Sequence, residues 1–183
     1  LYQKEFGKYK NYVNQVFEAD APNQIWVSDV TQFKYKEIYY YICVIIDLFS
    51  RRVIACCVGR NNTTYLVKRT FREAYNDRIP GEDLIFHSDR GSNYKAESFR
   101  ILLASKNVAQ SFSRAHVPYD NAVMKNFFGS LKKEELYRWR YRSERELKER
   151  IKEYVAFYNN IRPHEKLRYK TPVQVEEEYL SCL

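Results

Sequence analysis

Residues 24–59, QIWVSDVTQFKYKEIYYYICVIIDLFSRRVIACCVG, decide the fold. Three runs rich in β-branched and aromatic residues follow one another here, QIWVSDVTQFKY, IYYYICVIIDLFS and RRVIACCVG, parted by polar connections of hairpin length. Strand-like runs joined this tightly predict an antiparallel three-stranded meander. Asp29 breaks the pattern, because it lies inside the first run, where aspartate is disfavoured and needs a partner or a task.

Outward from the meander, NNTTYLVKRTFREAYNDR places Leu66, Val67, Thr70, Phe71 and Ala74 at helical spacing behind Asn and Thr capping candidates. DLIFHSDRGSNY predicts a short fourth strand ended by Asp89 and a loop, and KAESFRILLASKN a helix with Phe99, Leu102 and Leu103 on one face. VAQSFS predicts a fifth strand. A loop through Pro118 then leads to a helix starting near Asp120, with Val123, Phe127 and Leu131 inward, and a last helix spans roughly 143–160 ahead of RPHEKLRYKTPVQVEEEY. The order β-β-β-α-β-α-β-α-α implies crossovers after the meander, with the later strands parallel to the first. The expected fold class is therefore α/β: a five-stranded mixed sheet flanked by helices, in the order of the ribonuclease H-like architecture.

With 183 residues and 45% hydrophobic content, one folded domain is expected over 21–178, with an extension or linker over 1–20 and a tail over 179–183. A start at Leu1 rather than Met reads as an excised piece of a longer protein. No apolar run reaches the roughly 18 to 20 residues of a membrane span and no segment has a signal-peptide layout, so a cytosolic protein with no membrane partner is expected. The four cysteines, Cys43, Cys56, Cys57 and Cys182, form no Cys-x-x-Cys pair and read as reduced thiols. A net charge of +8 with 17 Tyr and 11 Phe points to a polyanionic partner, since basic side chains neutralise phosphates and aromatic faces stack on bases.

In an open sheet, sites form beyond the carboxyl ends of parallel strands, so Asp29 in the first strand and Asp89 ending the fourth can converge. Together they could hold Mg²⁺ or Mn²⁺, hard ions that prefer carboxylate oxygens. From spacing alone the other readings stay open: Asp29 as a solvent-facing strand residue and Asp89 as a turn residue. Asp47, where a strand enters a turn, reads as a turn cap.

NQIWVSDVTQF, IDLFSRRVIA, FHSDRGSNY, SRAHVPYDNAVMKNFFGSLKKEELY and FYNNIRPHEKLRYKTPVQV resemble, in order, the motifs of the integrase-core domain of bacterial insertion-sequence transposases of the OrfB type, relatives of retroviral integrases. The resemblance runs from about residue 20 to 178. It implies a DDE site with Asp29 as first acid, Asp89 as second, and a glutamate where this chain has Lys125. Thirty-five residues separate Asp89 from Lys125, the family's interval. It also implies Mg²⁺- or Mn²⁺-dependent DNA strand cleavage and strand transfer, action as a homo-oligomer on transposon ends and target DNA, an upstream helix-turn-helix domain, and a bacterial cytoplasmic, nucleoid-associated setting.

Lys125 alters that expectation. Exchanging glutamate for lysine shifts local charge by two units, removes an anionic ligand and brings an ammonium within reach of Asp29 and Asp89. Metal binding should weaken and cutting should be impaired. Glu134 and Glu135, further along the helix, are not expected to reach the same site. The basic residues Arg90, Arg114, Lys132 and Lys133, with Asn121, gather around the proposed centre as a phosphate-binding surface, while Arg162 and His164 in RPHEKL read either as DNA contacts or as packing. Two other functions remain: a non-catalytic DNA-binding or assembly module that kept the scaffold, and a ribonuclease H-type hydrolase, which does not account for the RPHEKL…TP segment.

Overall fold

The computed structural model describes residues 10–13, 19–113 and 122–183. Strands β1 (Ile25–Tyr35), β2 (Ile38–Asp47) and β3 (Val53–Gly59) form the meander, and β4 (Ile85–Ser88) and β5 (Ala109–Phe112) extend it on the other side of β1. The sheet order is β3-β2-β1-β4-β5, with β1–β2 and β2–β3 antiparallel and β1–β4 and β4–β5 parallel. This is the mixed five-stranded sheet that the order of runs predicts. β1 and β2 meet through a two-residue turn at Lys36 and Glu37, between the paired Tyr35 and Ile38. Both turn residues have positive φ, 45° and 61°, a conformation that favours Asn-Gly over Lys-Glu.

The unbroken apolar run of β2 follows from burial on both faces. Ile42, Val44 and Ile46 point to one side, where they pack with Met124, Phe127 and Leu131 of α4 (Ala122–Leu131) and Leu147 and Ile151 of α5 (Glu144–Asn160). Cys43 and Ile45 point to the other, against Leu66, Val67 and Phe71 of α1 (Thr64–Arg78) and beside Phe99 and Leu103 of α3 (Glu97–Ala104). Each large apolar side chain so buried contributes roughly 1.5 to 3 kcal/mol of transfer free energy. Cys43 and Cys57 are buried, Cys56 is half-buried and Cys182 is exposed, all as free thiols.

Three local features differ from the sequence expectation. The inward stripe of α4 is Met124, Phe127, Phe128 and Leu131, with Val123 only partly buried, because the helix fills the wide gap between sheet and α5 and needs a broader stripe than one row. SNYK, expected in a loop, forms the one-turn helix α2 (Ser92–Lys95), held down by the buried Tyr94. After a 3₁₀ turn (Glu165–Leu167), residues 172–181 form a further helix, α6 (Pro172–Ser181). It opens with a capping box between Thr171 and Gln174 and Pro172 in its first turn, so this proline starts a helix.

α6 is tied to the sheet by Glu176, which is buried. Its carboxylate accepts both terminal nitrogens of Arg78 at 2.9 Å, Arg52 at 2.6 Å and the Ser50 hydroxyl at 2.8 Å. Asp47 beside it, fully buried, accepts the main-chain N–H of Asn23 at 2.6 Å and of Phe49 at 2.9 Å, capping the β2–β3 turn as its position suggests.

Candidate active site

Ser28 of β1 and Ser88 of β4 are partners in the parallel register, so Asp29 and Asp89, the next residue on each chain, emerge side by side at the same end of the sheet. Their surroundings differ. Asp29 is half-buried and its Oδ1 accepts the Val30 N–H at 2.7 Å, while Asp89 is exposed and its Oδ1 accepts the Gly91 N–H at 2.9 Å. A Cβ on Gly91 would stand 2.9 Å from that same oxygen, so glycine is what lets the turn fold back on the carboxylate. Burial, and then the charge of Asp89, push the Asp29 carboxyl up to about 6, against the smaller opposing pull of the Val30 N–H, Lys125 and Lys132.

The floor of the site is a buried relay. Ser28 Oγ donates to the Val44 carbonyl at 2.9 Å, and with that proton committed the Tyr94 hydroxyl, 2.9 Å away, donates to Ser28. Tyr94 thereby clamps the segment after Asp89 onto the strand that carries Asp29. Burial, aided by the nearby charges of Asp29 and Asp89, holds its hydroxyl well above the ordinary tyrosine range, so it stays a proton donor. The sequence offers a signal for Tyr94 only in its aromatic type so soon after Asp89.

Lys125 and Lys132, seven residues apart, both act electrostatically on Asp29. Lys125 is exposed on α4, and Lys132 opens a five-residue π-helical stretch, Lys132–Leu136, that continues the helix. That stretch aims the following acids elsewhere: Glu134 accepts from Arg162 at 2.8 Å and from the Tyr154 hydroxyl at 2.9 Å, and Glu135 accepts from Arg150 through both oxygens at 3.0 Å. Burial alone would raise Glu134, yet Arg162 and Tyr154 outweigh it and hold the carboxyl below its usual range. The guanidinium of Arg162 is thus engaged with Glu134. His164 is buried, with Nε2 3.0 Å from the Tyr158 carbonyl and its ring 4.4 Å from that of Tyr158, and burial lowers its pKa. Arg90 donates through Nε to the Ser113 carbonyl at 3.0 Å, and Lys133 is exposed. Arg114, Asn121 and Asp120 lie outside the described residues.

Two adjoining carboxylates, one of them half-buried, form an oxygen pair suited to a hard divalent cation such as Mg²⁺ or Mn²⁺. A cation there would offset the burial and the Asp89 repulsion that raise Asp29. Among the described residues no third His, Cys, Asp or Glu joins them, and an ammonium acts on Asp29 instead.

Integrase core domain profiles match residues 19–118 and 106–172. The chain belongs to the integrase core domain family. The transposase for insertion sequence element IS904 of Lactococcus lactis subsp. lactis (strain IL1403) is 34% identical over 168 residues, which cover 91% of this integrase core and 66% of that protein. The putative transposase InsK for insertion sequence element IS150 of Escherichia coli (strain K12) is 33% identical over 178 residues, covering 97% and 63%. This core therefore spans a little under two thirds of the length of those relatives. Its fold is similar to the HTLV-2 integrase catalytic core domain solved in complex with magnesium in a dimeric form, with a TM-score of 0.68, 21% identity, and coverage of 86% of this chain and 98% of that one. The core is thus similar in sequence to insertion-sequence transposases and shares its fold with a retroviral integrase catalytic core. No helix among the described residues is long and apolar enough to cross a membrane.

Proposed function

We propose that this integrase core is the catalytic domain of a transposase that cleaves and joins DNA strands, that Asp29 and Asp89 hold its Mg²⁺ or Mn²⁺, and that Lys125 leaves it impaired. The observation that carries the reading is the pair itself: two carboxylates brought together just past the last pair of the parallel β1–β4 ladder, with Asp29 raised to about 6 by burial and by its neighbour. Such a pair repels itself until a cation arrives. Held by Asp29 and Asp89, such an ion would supply the Lewis-acid chemistry that polarises a scissile phosphate and lowers the pKa of an attacking hydroxyl. The chain's own residues supply the placement: Tyr94 and Ser28 fix the floor, Gly91 admits the turn on Asp89, and Lys132, with Arg90 at the strand end, offers charge for the DNA backbone.

Lys125 supports the impaired reading because its ammonium partly satisfies Asp29, doing by charge what a metal would do while offering no ligand. The same observation favours a second reading, a DNA-binding or assembly module that no longer cuts. DNA ends, target DNA and a multimeric state belong to both.

Strand cleavage and strand transfer on cognate element ends, with Mg²⁺ or Mn²⁺, should be measured for the protein and its Lys125→Glu variant. The impaired-transposase reading expects cutting from the variant alone. Equal cutting by both would remove Lys125 from the third-acid position, and an inert variant that still binds DNA would favour the module.

A further inference from the structure

Between the π-helical stretch and α5 runs YRWRYR, residues 137–142, an irregular strap that alternates arginine with aromatic side chains. Tyr141 is its anchor. Buried, it lies edge-on to Phe33 and Tyr35 with ring centres 6.1 Å away, and its hydroxyl donates to Glu135 Oε1 at 3.2 Å. The β1–β2 hairpin pins the strap's main chain as well, Tyr35 donating to the Tyr141 carbonyl at 3.1 Å and Lys36 to the Arg142 carbonyl at 3.0 Å.

The other side chains face outward. Tyr137 is 70% exposed and Trp139 55%, and Arg138, Arg140 and Arg142 are exposed with no carboxylate paired to any of them among the described residues. Trp139 is nonetheless held still, because the Arg150 guanidinium sits 4.4 Å from its ring centre and is itself fixed by both oxygens of Glu135. A cleft of about 630 Å³ opens beside it, lined by Arg138 and Phe157 and by Glu134, Glu135 and Glu153, whose charges are already taken up by Arg150 and Arg162. The result is an open indole backed by Arg150 on one face, in a strap whose three arginines have no carboxylate partner among the described residues.

We propose that this strap is a binding site for single-stranded nucleic acid, with Trp139 stacking an unpaired base and Arg138, Arg140 and Arg142 holding the flanking phosphates. Charge selects a polyanion, and the exposed indole selects among polyanions: an unpaired base offers a free π-face, whereas a base inside a duplex has both faces covered by its neighbours. The anchor by Tyr141 and the hairpin means little ordering is left to do on binding. The proposal is independent of the roles given to Asp29, Asp89 and Lys125, since it needs no metal.

The test is run in EDTA, so that a failure at the carboxylate pair cannot affect it. Oligo-dT of about 20 nucleotides and a duplex of equal length are titrated into the protein while tryptophan emission and oligonucleotide anisotropy are followed. Of the two tryptophans, Trp26 is buried and Trp139 is open, so quenching on dT reports the strap. Trp139→Ala should abolish the quench and weaken dT binding about 5- to 30-fold, duplex binding changing less than about 2-fold, and Trp139→Phe should keep most of the affinity. Arg140→Ser should weaken both and lower the slope of log affinity against log salt by about one. Unchanged dT binding by Trp139→Ala, an equal loss for the duplex, or polyglutamate that quenches and binds as tightly as dT would each overturn the proposal.

Discussion

Asp29 and Glu176 are both carboxylates taken largely out of water, and burial drives each toward its neutral form, yet they end on opposite sides of their ordinary values. Glu176 meets Arg78, Arg52 and Ser50, whose hydrogen bonds more than offset burial and hold its carboxyl low. Asp29 meets another acid, and two lysines acting on it do not cancel the cost, so its carboxyl stays high. The first cluster is complete within the protein and fastens a helix. The second is unfinished in its own charge balance, as a place for a cation should be.

The comparison breaks most readily at Glu176. Glu176→Ala leaves Arg78 and Arg52 facing a void and should cost about 3 kcal/mol or more, read as a lower urea midpoint. If the loss is under about 1 kcal/mol, the cluster is ornament and not a fastener. Next in size is the response to metal. On the proposed reading of residue 125 as the third acid position, Mg²⁺ at millimolar concentration should raise the melting temperature of Lys125→Glu by several degrees and that of the parent far less.

The pH dependence sharpens the contrast. Asp29 has a folded value of about 6, above its unfolded one, so its charge opposes folding. The penalty is absent below the ordinary aspartate range, grows as pH rises through it, and is complete above about 6. Asp29→Asn should therefore match the parent near pH 4 and exceed it by about 1 to 2 kcal/mol at pH 8, measured by denaturation at both values. Glu176 has the opposite sign: its contribution is present above the ordinary glutamate range and lost as pH falls through its lower folded value. The smallest effect is at the β1–β2 turn, where Glu37→Gly should stabilise by up to about 1 kcal/mol in thermal denaturation, its φ being 61°, while Lys36 keeps its contact with the strap.

The sheet was legible because its runs obey strand periodicity, and the convergence of Asp29 with Asp89 because each directly follows the last pair of the parallel ladder, Ser28 with Ser88. Lys125 stood out only as a departure, a lysine where the resemblance implies a glutamate. What escaped was long-range pairing. Glu176 lies 98 residues from Arg78, and nothing local marks it as more than one acid in a run of three. Thr171-Pro172 with Gln174 did carry a helix-start signal, but Pro172 reads equally well as the end of an irregular segment. Met124 and Phe128 were hidden by a choice of stripe that only the facing elements could decide.

One feature of the sheet bears on the order in which the molecule assembles. β1 pairs with β2 across a two-residue turn but with β4 only after the chain has closed a loop through β2, β3 and α1. Local hairpins form in microseconds and need little loop closure, whereas the parallel contact waits for the longer one. Asp29 therefore has its antiparallel neighbour early and its acidic neighbour late. A nascent or partly unfolded chain carries the first carboxylate without the second, so the charge pair, and any chemistry it supports, belongs to the finished fold alone.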